Sequence, residues 1–411
     1  MADVSRAQIG ILPCPGGMAF AQKVLAHLEA ITREKFDERV ATLSRSYALP
    51  RAEIIRQVNL ATDIQPSSGD LEEPIDQHRT RNFLVPAKYT RFPNGEFKTE
   101  ILTSVRDTAI YVVQDVSNRY PLQFQKSDEP KVLSVNDHVF CLLVTVDAAL
   151  QAGALQATVV LPTYPYARQH KKKGRESLSA ARIGQILEAF GVARIITLDI
   201  HSKEIENSFN HLRLENLHGA YQILKTLANV ADLKDERLVV ISPDTGAVDR
   251  NKFFASILGR PLGLLYKERD YSRIAQSAEK GNITDMKLLG SVKGKTVFMS
   301  DDMLGTGGTL IKALRELRSL GAERIICAVS LPLFSVNAVE TFESAYREGL
   351  FHRIIGTNAV YHDENLLSRE WYLSADVSQL FARIIYRLHY NRSLSSLLDD
   401  RSVIKDLLKR S

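Results

Sequence analysis

The feature that most constrains the fold is the segment at residues 295–309, where an apolar run leads through two carboxylates into a glycine-rich turn. Residues 296–299 predict a short buried strand that ends on the adjacent pair Asp301 and Asp302. After the turn, apolar side chains recur at helical spacing, at Leu310, Ile311, Leu314, Leu317 and Leu320. The segment therefore predicts a strand, a loop and a helix in that order.

The turn between the predicted strand and helix is built from small residues, namely Gly305, Thr306, Gly307, Gly308 and Thr309. Small residues let a backbone approach a ligand closely, and the N–H groups at the start of a helix attract phosphate. Carboxylates repel phosphate, so we expect Asp301 and Asp302 to take sugar hydroxyls or a divalent cation. The pattern indicates a site for a phosphorylated sugar, and its alternative is a surface turn that happens to be rich in glycine and threonine.

Strand patterns alternate with helix patterns along most of the 411 residues, which predicts parallel α/β sheets. The pattern falls into two series that break near residue 217, so we predict two similar domains, at residues 1–216 and 217–394. Residues 395–411 form a C-terminal tail that could return to the first domain.

Two stretches, at about residues 30–88 and 119–134, interrupt the first series and are interpreted as insertions. In the longer one, the apolar residues between Ile31 and Tyr47 can share one helical stripe, and Pro50 could begin a second helix that continues through Val58. No chemical motif occurs in it. We therefore expect a helical excursion that packs on its own domain or on a neighbouring subunit.

The basic residues of the chain cluster once, at the three lysines 171–173 between Arg168 and Arg175, although the formal net charge is only +5. Gln169 and two tyrosines accompany them, a mixture that suits a polyphosphate and a base ring better than a nucleic-acid duplex. The alternative for this cluster is a solvated loop. We expect no nucleic-acid partner.

The three cysteines, Cys14, Cys141 and Cys327, lie in apolar segments without the spacing of a metal site. They are expected to be reduced core residues. No stretch approaches 18 uninterrupted apolar residues, so we expect no membrane partner. The sequence predicts a cytoplasmic protein.

Polar residues gather where the predicted strands end, which is where open α/β sheets bind ligands. Arg168 offers a fork of donors for phosphate, and Gln169 can bind an adenine edge or a ribose. His201 lies two residues after a carboxylate at another strand end and is a candidate ligand for a divalent ion. A lone histidine at a strand end is more often a satisfied polar residue than a metal ligand, which is the alternative interpretation of His201.

The second series of predicted strands and helices, after residue 217, also has polar residues at its strand ends. Asp244 lies in a Pro-Asp-Thr-Gly turn and is a candidate cation or sugar ligand. Lys267 and Arg269 lie two residues apart at the next strand end, where both could face a developing negative charge. The polar stretch at residues 272–285 is expected to act as a lid. Solvated edge-strand charges are the alternative for the two cations.

Taken in order, the motifs YPYARQ, DIHSKEI, ISPDTGAVDR, YKER and SDDMLGTGGT resemble those of the ribose-phosphate pyrophosphokinase family, whereas phosphoribosyltransferases share only the last one. The resemblance covers about residues 9–29, 89–118 and 135–400. It implies two tandem type I phosphoribosyltransferase-like domains, each a mainly parallel sheet flanked by helices, with a helical insertion in the first. It also implies transfer of the β,γ-diphosphoryl group of MgATP to the anomeric hydroxyl of ribose 5-phosphate.

The resemblance further implies roles for individual residues. Lys267 would stabilise the transition state, Arg269 would bind beside it and the ribose 5-phosphate, and His201 and Asp244 would contact Mg²⁺. The implied ATP contacts are Phe92, Asn94, Gly95, Glu96, Arg168 and Gln169, of which the turn at residues 91–96 would reach ATP in a neighbouring subunit of a homo-oligomer, a hexamer by resemblance. The implied ribose 5-phosphate contacts are Arg269, Asp301, Asp302, Gly305, Thr306, Gly307, Gly308 and Thr309.

The sequence departs from the family pattern at Gly305, Asn94 and His170, each of which stands where the family usually has an aspartate. Lys203 and Glu206 also replace residues that line a regulatory phosphate or ADP site in many members, so activation by phosphate is not expected from the resemblance. The departures favour a second hypothesis, a non-catalytic regulatory paralogue that binds an active synthetase.

A third hypothesis is a phosphoribosyltransferase that consumes the diphosphate sugar. It would leave the predicted nucleotide contacts Arg168 and Gln169 without a purpose.

Overall fold

The computed structural model describes residues 7–57, 83–127, 129–172, 174–269, 283–399 and 401–410. The chain forms two compact units. The N-terminal unit comprises Met1–Leu217 and Ser378–Leu398, and the C-terminal unit comprises His218–Val377 and Asp399–Ser411. The tail that was expected from residue 395 is thus divided, because Ser378–Leu398 belongs to the N-terminal unit and only the last residues belong to the other.

In the described residues, the N-terminal unit contains a parallel five-stranded sheet in the order β1-β4-β5-β6-β7 and a separate β2–β3 hairpin. Its elements are β1 (Gln8–Pro13), α1 (Met18–Tyr47), α2 (Arg51–Gln57), β2 (Ala87–Arg91), β3 (Phe97–Ile101), β4 (Thr108–Val113), α3 (Val135–Gln151), β5 (Gln156–Val160), α4 (Ser179–Ala189), β6 (Val192–Leu198) and β7 (Arg213–Leu217). The interior strand β4 is buried along its whole length, so helices cover both faces of the sheet.

Helix α1 is a single helix of 30 residues, which corrects the expectation that a separate helical excursion begins near residue 30. Its first half buries an apolar face, and Phe20 meets Phe381 edge to face with ring centroids 5.1 Å apart. Its second half makes a small core of its own, where Val40 packs with Ile54 of α2. No glycine or proline interrupts residues 18–47, so nothing in the sequence stops the helix before Ala48, which takes a left-handed conformation. The remainder of the expected insertion, residues 58–82, lies outside the described residues.

The stretch at residues 119–134 gives the β2–β3 hairpin a core. Phe124 and Leu133 are buried with Tyr89 of the hairpin and with Cys141 of α3. The backbone also bridges Leu122 to Lys131, which folds the stretch back on itself. This second expected insertion is therefore packed structure beside the hairpin.

In the described residues, the C-terminal unit contains a seven-stranded sheet in the order β10-β9-β8-β11-β12-β13-β14, parallel except for β10. Its elements are α5 (Ala220–Leu227), β8 (Leu238–Ser242), α6 (Val248–Leu258), β9 (Leu262–Arg269), β10 (Ile283–Leu289), β11 (Thr296–Leu304), α7 (Gly308–Ser319), β12 (Arg324–Pro332), α8 (Ala338–Arg347), β13 (Arg353–Thr357), α9 (Glu364–Leu367) and β14 (Tyr372–Ala375). Apolar clusters lie on both faces of this sheet. Mainly parallel sheets flanked by helices were predicted, and this is confirmed.

The chain ends with three helices, α10 (Ser378–His389), α11 (Ser395–Leu398) and α12 (Arg401–Arg410). The first two belong to the N-terminal unit, where the buried His389 ring lies 3.0 Å from the carbonyl oxygen of Ala7 through Nε2. Helix α12 belongs to the C-terminal unit and buries Ile404 completely in a cluster that includes Phe254.

The three cysteines are buried and free, as predicted. Burial raises the pKa of Cys14 and of Cys327 well above the ordinary thiol value, so both stay as unreactive thiols. Across the described residues, no helix combines the length and apolar character needed to cross a membrane.

Candidate functional site

The first part of the site is the turn that follows β8 in the C-terminal unit. Asp244 caps this turn, because its Oδ1 accepts hydrogen bonds from the N–H groups of Gly246 at 2.9 Å and Ala247 at 3.1 Å. Ser242 Oγ donates to the carbonyl oxygen of Asp244 at 2.7 Å. These bonds fix the Asp244 carboxylate at the end of the strand, on the edge of the sheet where ligands bind.

The second part is the acidic pair on β11. The strand was expected to end at the pair, but it continues to Leu304, because β11 stays paired with β12 as far as the partners Leu304 and Pro332. Strand β8 pairs with β11 only as far as Phe298. The pair Asp301 and Asp302 therefore lies on a strand that is held by β12 and is no longer covered by β8.

The surroundings of the acidic pair shift the pKa of Asp301. Burial, then the charge of Asp302, and more weakly that of Asp244 raise the pKa of Asp301 from 3.8 to about 7. The N–H of Asp302 donates to Asp301 Oδ1 at 2.8 Å, which partly offsets this rise. A buried carboxylate such as Asp301, whose ionised form is disfavoured, is stabilised in that form by hydroxyl donors or by a cation. This donor set suits a ribose and also suits Mg²⁺.

The third part is the loop from β11 to α7. Gly307 caps α7 with φ of 78°, a conformation that favours glycine. A Cβ at this position would also lie only 2.2 Å from Cε2 of Phe342, a buried residue of α8. The N–H of Ser335 donates to the carbonyl oxygen of Gly305 at 3.0 Å and supports the loop from below. The loop is thus packed against the core, and its small residues lie at the start of a helix, a position whose N–H groups can stabilise an anion.

Lys267 and Arg269 were expected at a strand end, and both belong to β9, which pairs with the antiparallel strand β10. The side chains of both residues lie outside the described part of the chain. So do residues 270–282, which contain most of the expected lid. Its last residues, from Ile283, form the start of β10, a strand that the sequence did not predict.

In the N-terminal unit, Arg168 and Gln169 are exposed on the loop after β5. This loop is anchored by Tyr164, whose buried hydroxyl donates to the carbonyl oxygen of Ala180 at 2.8 Å. Arg168 and Gln169, the two predicted nucleotide contacts, are therefore solvent-exposed on a loop that the Tyr164 hydrogen bond fixes to α4.

His201 lies next to this loop, and its ring meets the ring of His170 edge to face with centroids 5.1 Å apart. His170 stands where the family usually has an aspartate, so this contact between two histidine rings could not be expected from the family pattern. Among the described residues, no three side chains of the His, Cys, Asp or Glu type form a metal centre. His201 and Asp244 belong to different units, and each remains a predicted Mg²⁺ contact.

The turn between β2 and β3 presents the other predicted nucleotide contacts. Phe92 is 41% exposed, and the N–H of Phe92 donates to the carbonyl oxygen of Glu96 at 2.8 Å. Asn94 Oδ1 accepts from the N–H of Glu96 at 3.2 Å, and Gly95 has φ of 97°. An amide oxygen makes the same bond here as a carboxylate oxygen would. The replacement of an aspartate by Asn94 therefore leaves the turn intact.

The structure thus brings Asp244, Asp301 and the loop at 305–309 together in one unit. It places Arg168, Gln169 and His201 near one another in the other unit. A buried asparagine of α6, Asn251, bonds to the acidic strand and was missed by the sequence analysis. A single amide within an ordinary amphipathic helix gives no signal in the sequence.

Comparison with known proteins agrees with this architecture. The model of the N-terminal domain of ribose phosphate pyrophosphokinase matches residues 65–191, and the model of the phosphoribosyl transferase domain matches residues 212–364. The crystal structure of phosphoribosylpyrophosphate synthetase from Mycobacterium smegmatis superposes with a TM-score of 0.66 at 24% identity, covering 93% of this chain and 99% of that one. The fold and the site therefore define a protein of two tandem phosphoribosyltransferase-type domains.

Relatives identify the family within this class. A ribose-phosphate pyrophosphokinase from Synechococcus elongatus is 31% identical over 361 residues, which cover 86% of this chain and 99% of the relative. Ribose-phosphate pyrophosphokinase A from Dictyostelium discoideum is 31% identical over 319 residues, 77% of this chain and 91% of the relative. The chain belongs to the ribose-phosphate pyrophosphokinase family.

The contact between the loop and Phe342 gives a stability prediction. Gly307→Ala should lower the free energy of unfolding by about 2 kcal/mol or more, because the left-handed conformation and the clash with Phe342 each cost on the order of 1–2 kcal/mol. The sole tryptophan, Trp371, lies 6.2 Å from the Phe342 ring between centroids, so its fluorescence in a urea titration reports the change. Gly308→Ala is the matched control, since a Cβ there meets nothing within 4 Å. Equal effects of the two changes would contradict the packing argument.

The raised pKa of Asp301 gives a pH prediction. The folded state holds the Asp301 proton up to about pH 7, whereas the unfolded chain releases it near pH 4, so this group costs stability as the pH rises from 4 to 7. Asp301→Asn should therefore raise the thermal midpoint relative to the unchanged protein, and by more at pH 8 than at pH 5. Asp249→Asn, at an exposed position, is the control. A constant difference across the pH range would refute the assignment.

Proposed function

We propose that this protein transfers the β,γ-diphosphoryl group of MgATP to the anomeric hydroxyl of D-ribose 5-phosphate, giving 5-phosphoribosyl 1-diphosphate and AMP. The observation that carries the proposal is the acidic pair on β11 followed directly by the loop that starts α7. This arrangement suits a sugar phosphate, since carboxylates meet hydroxyls and helix N–H groups meet phosphate. Membership of the ribose-phosphate pyrophosphokinase family is the basis for proposing ATP as the diphosphoryl donor.

Ribose 5-phosphate would bind with its phosphate at residues 305–309 and its ring hydroxyls at Asp301 and Asp302. The N–H groups at the start of α7 carry partial positive charge, which favours the phosphate. Hydroxyl donors favour the ionised carboxylate, so binding would lower the pKa of Asp301 from its raised value. Ribose binding and release of the Asp301 proton would therefore be coupled.

ATP would bind through Arg168 and Gln169 of one copy and through the turn at residues 92–96 of a neighbouring copy. The turn projects the half-exposed Phe92, an aromatic surface on which an adenine ring can stack. The proposal therefore includes a homo-oligomer, a hexamer by family resemblance. It also includes a cytoplasmic location, where ATP and the sugar phosphate are present.

Mg²⁺ would enter as MgATP, the substrate complex, with His201 and Asp244 as its contacts from the protein. When bound, the ion neutralises charge on the phosphate oxygens of ATP. Asp244 offers a carboxylate of the kind that Mg²⁺ prefers. Because the described residues form no complete metal centre, phosphate oxygens and water would supply the rest of the coordination.

In the reaction, the anomeric oxygen of the ribose attacks the β-phosphorus of ATP. The new bond joins that oxygen to the β-phosphorus, the bond between the β-phosphorus and the oxygen bridging it to the α-phosphorus breaks, and the hydroxyl proton is released. AMP leaves with the bridging oxygen. Lys267 and Arg269 would stabilise the negative charge on the transferring group, so catalysis rests on alignment and charge without a covalent intermediate.

A regulatory paralogue that binds an active synthetase is the second candidate function. It is favoured by Gly305, Asn94 and His170, which replace family aspartates. The turn formed by Asn94 weakens this alternative, since the asparagine keeps the bond that shapes the turn.

AMP formation tests the proposal. The purified protein is incubated with ribose 5-phosphate and MgATP, with and without inorganic phosphate, and AMP is measured. AMP that appears only when ribose 5-phosphate is present supports the diphosphotransferase. Absence of AMP at every magnesium and phosphate concentration rejects it and leaves the regulatory paralogue. Thermal protection by free nucleobases but not by ATP would indicate a phosphoribosyltransferase instead.

A change at the proposed transition-state residue gives a sharper prediction. Lys267→Ala should lower kcat by at least about two orders of magnitude, as expected for loss of one charge-stabilising group, while the affinity for ATP changes little. Turnover and ATP binding are measured separately, by AMP release and by calorimetry. Lys225→Ala, an exposed lysine on α5, is the control and should keep normal turnover. Near-normal turnover of the Lys267 variant would remove this residue from its role.

A further inference from the structure

Asn251 is a fully buried polar residue in the first turn of α6, and its carboxamide makes three hydrogen bonds. Oδ1 accepts from the N–H of Ser300 at 2.9 Å. Nδ2 donates to the carbonyl oxygen of Ser300 at 2.7 Å and to that of Ala247 at 2.8 Å. A buried amide satisfied in this way holds its partners in one geometry.

The hydrogen bonds between Asn251 and Ser300 take the place of strand pairing, because β8 no longer pairs with β11 at this position. The backbone of Ser300 points both its N–H and its carbonyl oxygen to the side from which β8 has already departed, since β8 pairs with β11 only as far as Phe298. Without another partner, these two buried groups would be unsatisfied. The carboxamide of Asn251 offers one acceptor and one donor, as a paired strand residue would.

The bond to Ala247 reaches the other acidic loop. The N–H of Ala247 donates to Asp244 Oδ1, and its carbonyl oxygen accepts from Asn251. Ser300 immediately precedes the pair Asp301 and Asp302. One buried side chain therefore ties together the turn that holds Asp244 and the strand that holds the acidic pair.

We propose that Asn251 is a positioning residue, which fixes the spacing between Asp244 and the pair Asp301 and Asp302 and thereby sets the affinity for the sugar phosphate. This inference rests on the proposed function. A buried amide that only stabilised the fold would change the unfolding midpoint and leave substrate affinity alone. The two roles are separable by measurement.

The test compares two changes of the same chemistry in the same unit. Asn251→Leu removes the carboxamide and keeps the number of side-chain heavy atoms. Asn358→Leu is the matched control, because the Asn358 carboxamide also binds the main chain, accepting from the N–H of Val377 at 2.8 Å. Asn358 follows β13, which is separated by β12 from the strand that carries the acidic pair. Both variants are measured for thermal midpoint, for kcat, and for KM of ribose 5-phosphate and of MgATP.

For Asn251→Leu, KM for ribose 5-phosphate should rise at least about tenfold, the effect of losing one hydrogen bond between the ribose and a carboxylate. KM for MgATP should rise by a smaller factor, because Asp244 is also held in its turn by the N–H groups of Gly246 and Ala247. Asn358→Leu should lower the thermal midpoint without raising KM for ribose 5-phosphate. If both variants keep the KM of the unchanged protein, or if both raise it equally, the positioning role is wrong.

Hydrogen exchange of the peptide that spans residues 299–304 provides a readout that does not depend on catalysis. The Ser300 amide should lose protection in Asn251→Leu and keep it in Asn358→Leu. An inactive unchanged protein would reject the proposed function, and this measurement would still decide whether Asn251 holds the acidic strand. Unchanged protection at Ser300 would overturn the inference.

Discussion

The site depends on one backbone interaction, the parallel pairing of β11 with β12 beyond the point where β8 stops. Because of this pairing, Asp301 and Asp302 lie on a strand at the rim of the sheet. A strand holds the two carboxylates more firmly than a loop would. The departure of β8 leaves one side of the strand open. The same geometry therefore supplies both the rigidity that aligns the carboxylates and the space that a ligand needs, and it also creates the unpaired backbone groups that Asn251 satisfies.

Much of this arrangement could be predicted from the sequence, because apolar runs, helical spacing and a glycine turn are local signals. The strand, loop and helix around residues 296–319 and the alternation of strands and helices follow from such signals. The extension of β11 through two aspartates does not, since aspartate disfavours strands and only pairing with β12 overrides that preference. Strands β7 and β14 are only partly buried and contain polar residues, so they lack the continuous apolar run that indicates a buried strand in a sequence.

The predicted site residues illustrate the same limit. Asn94 and His170 each stand where the family usually has an aspartate, so a carboxylate is lost at both positions. In the structure, however, each replacement residue makes a contact with a neighbour. Asn94 keeps the hydrogen bond that shapes its turn, and His170 packs against His201. A family pattern states which residue type is usual at a position, whereas the effect of a replacement depends on neighbours that only the folded chain provides. Asn251 gave no sequence signal at all, because its partners are backbone groups 49 residues away.

The contact between Gly307 and Phe342 has an evolutionary consequence. The loop at residues 305–309 packs against helix α8, so position 307 cannot gain a side chain while the Phe342 ring keeps its size. A descendant of this chain could accept a side chain at position 307 only after the ring at 342 had shrunk, and the aromatic cluster around Trp371 would then have to refill the space. The order of substitutions is constrained, and the two positions should vary together across related sequences even though only one of them would touch a ligand.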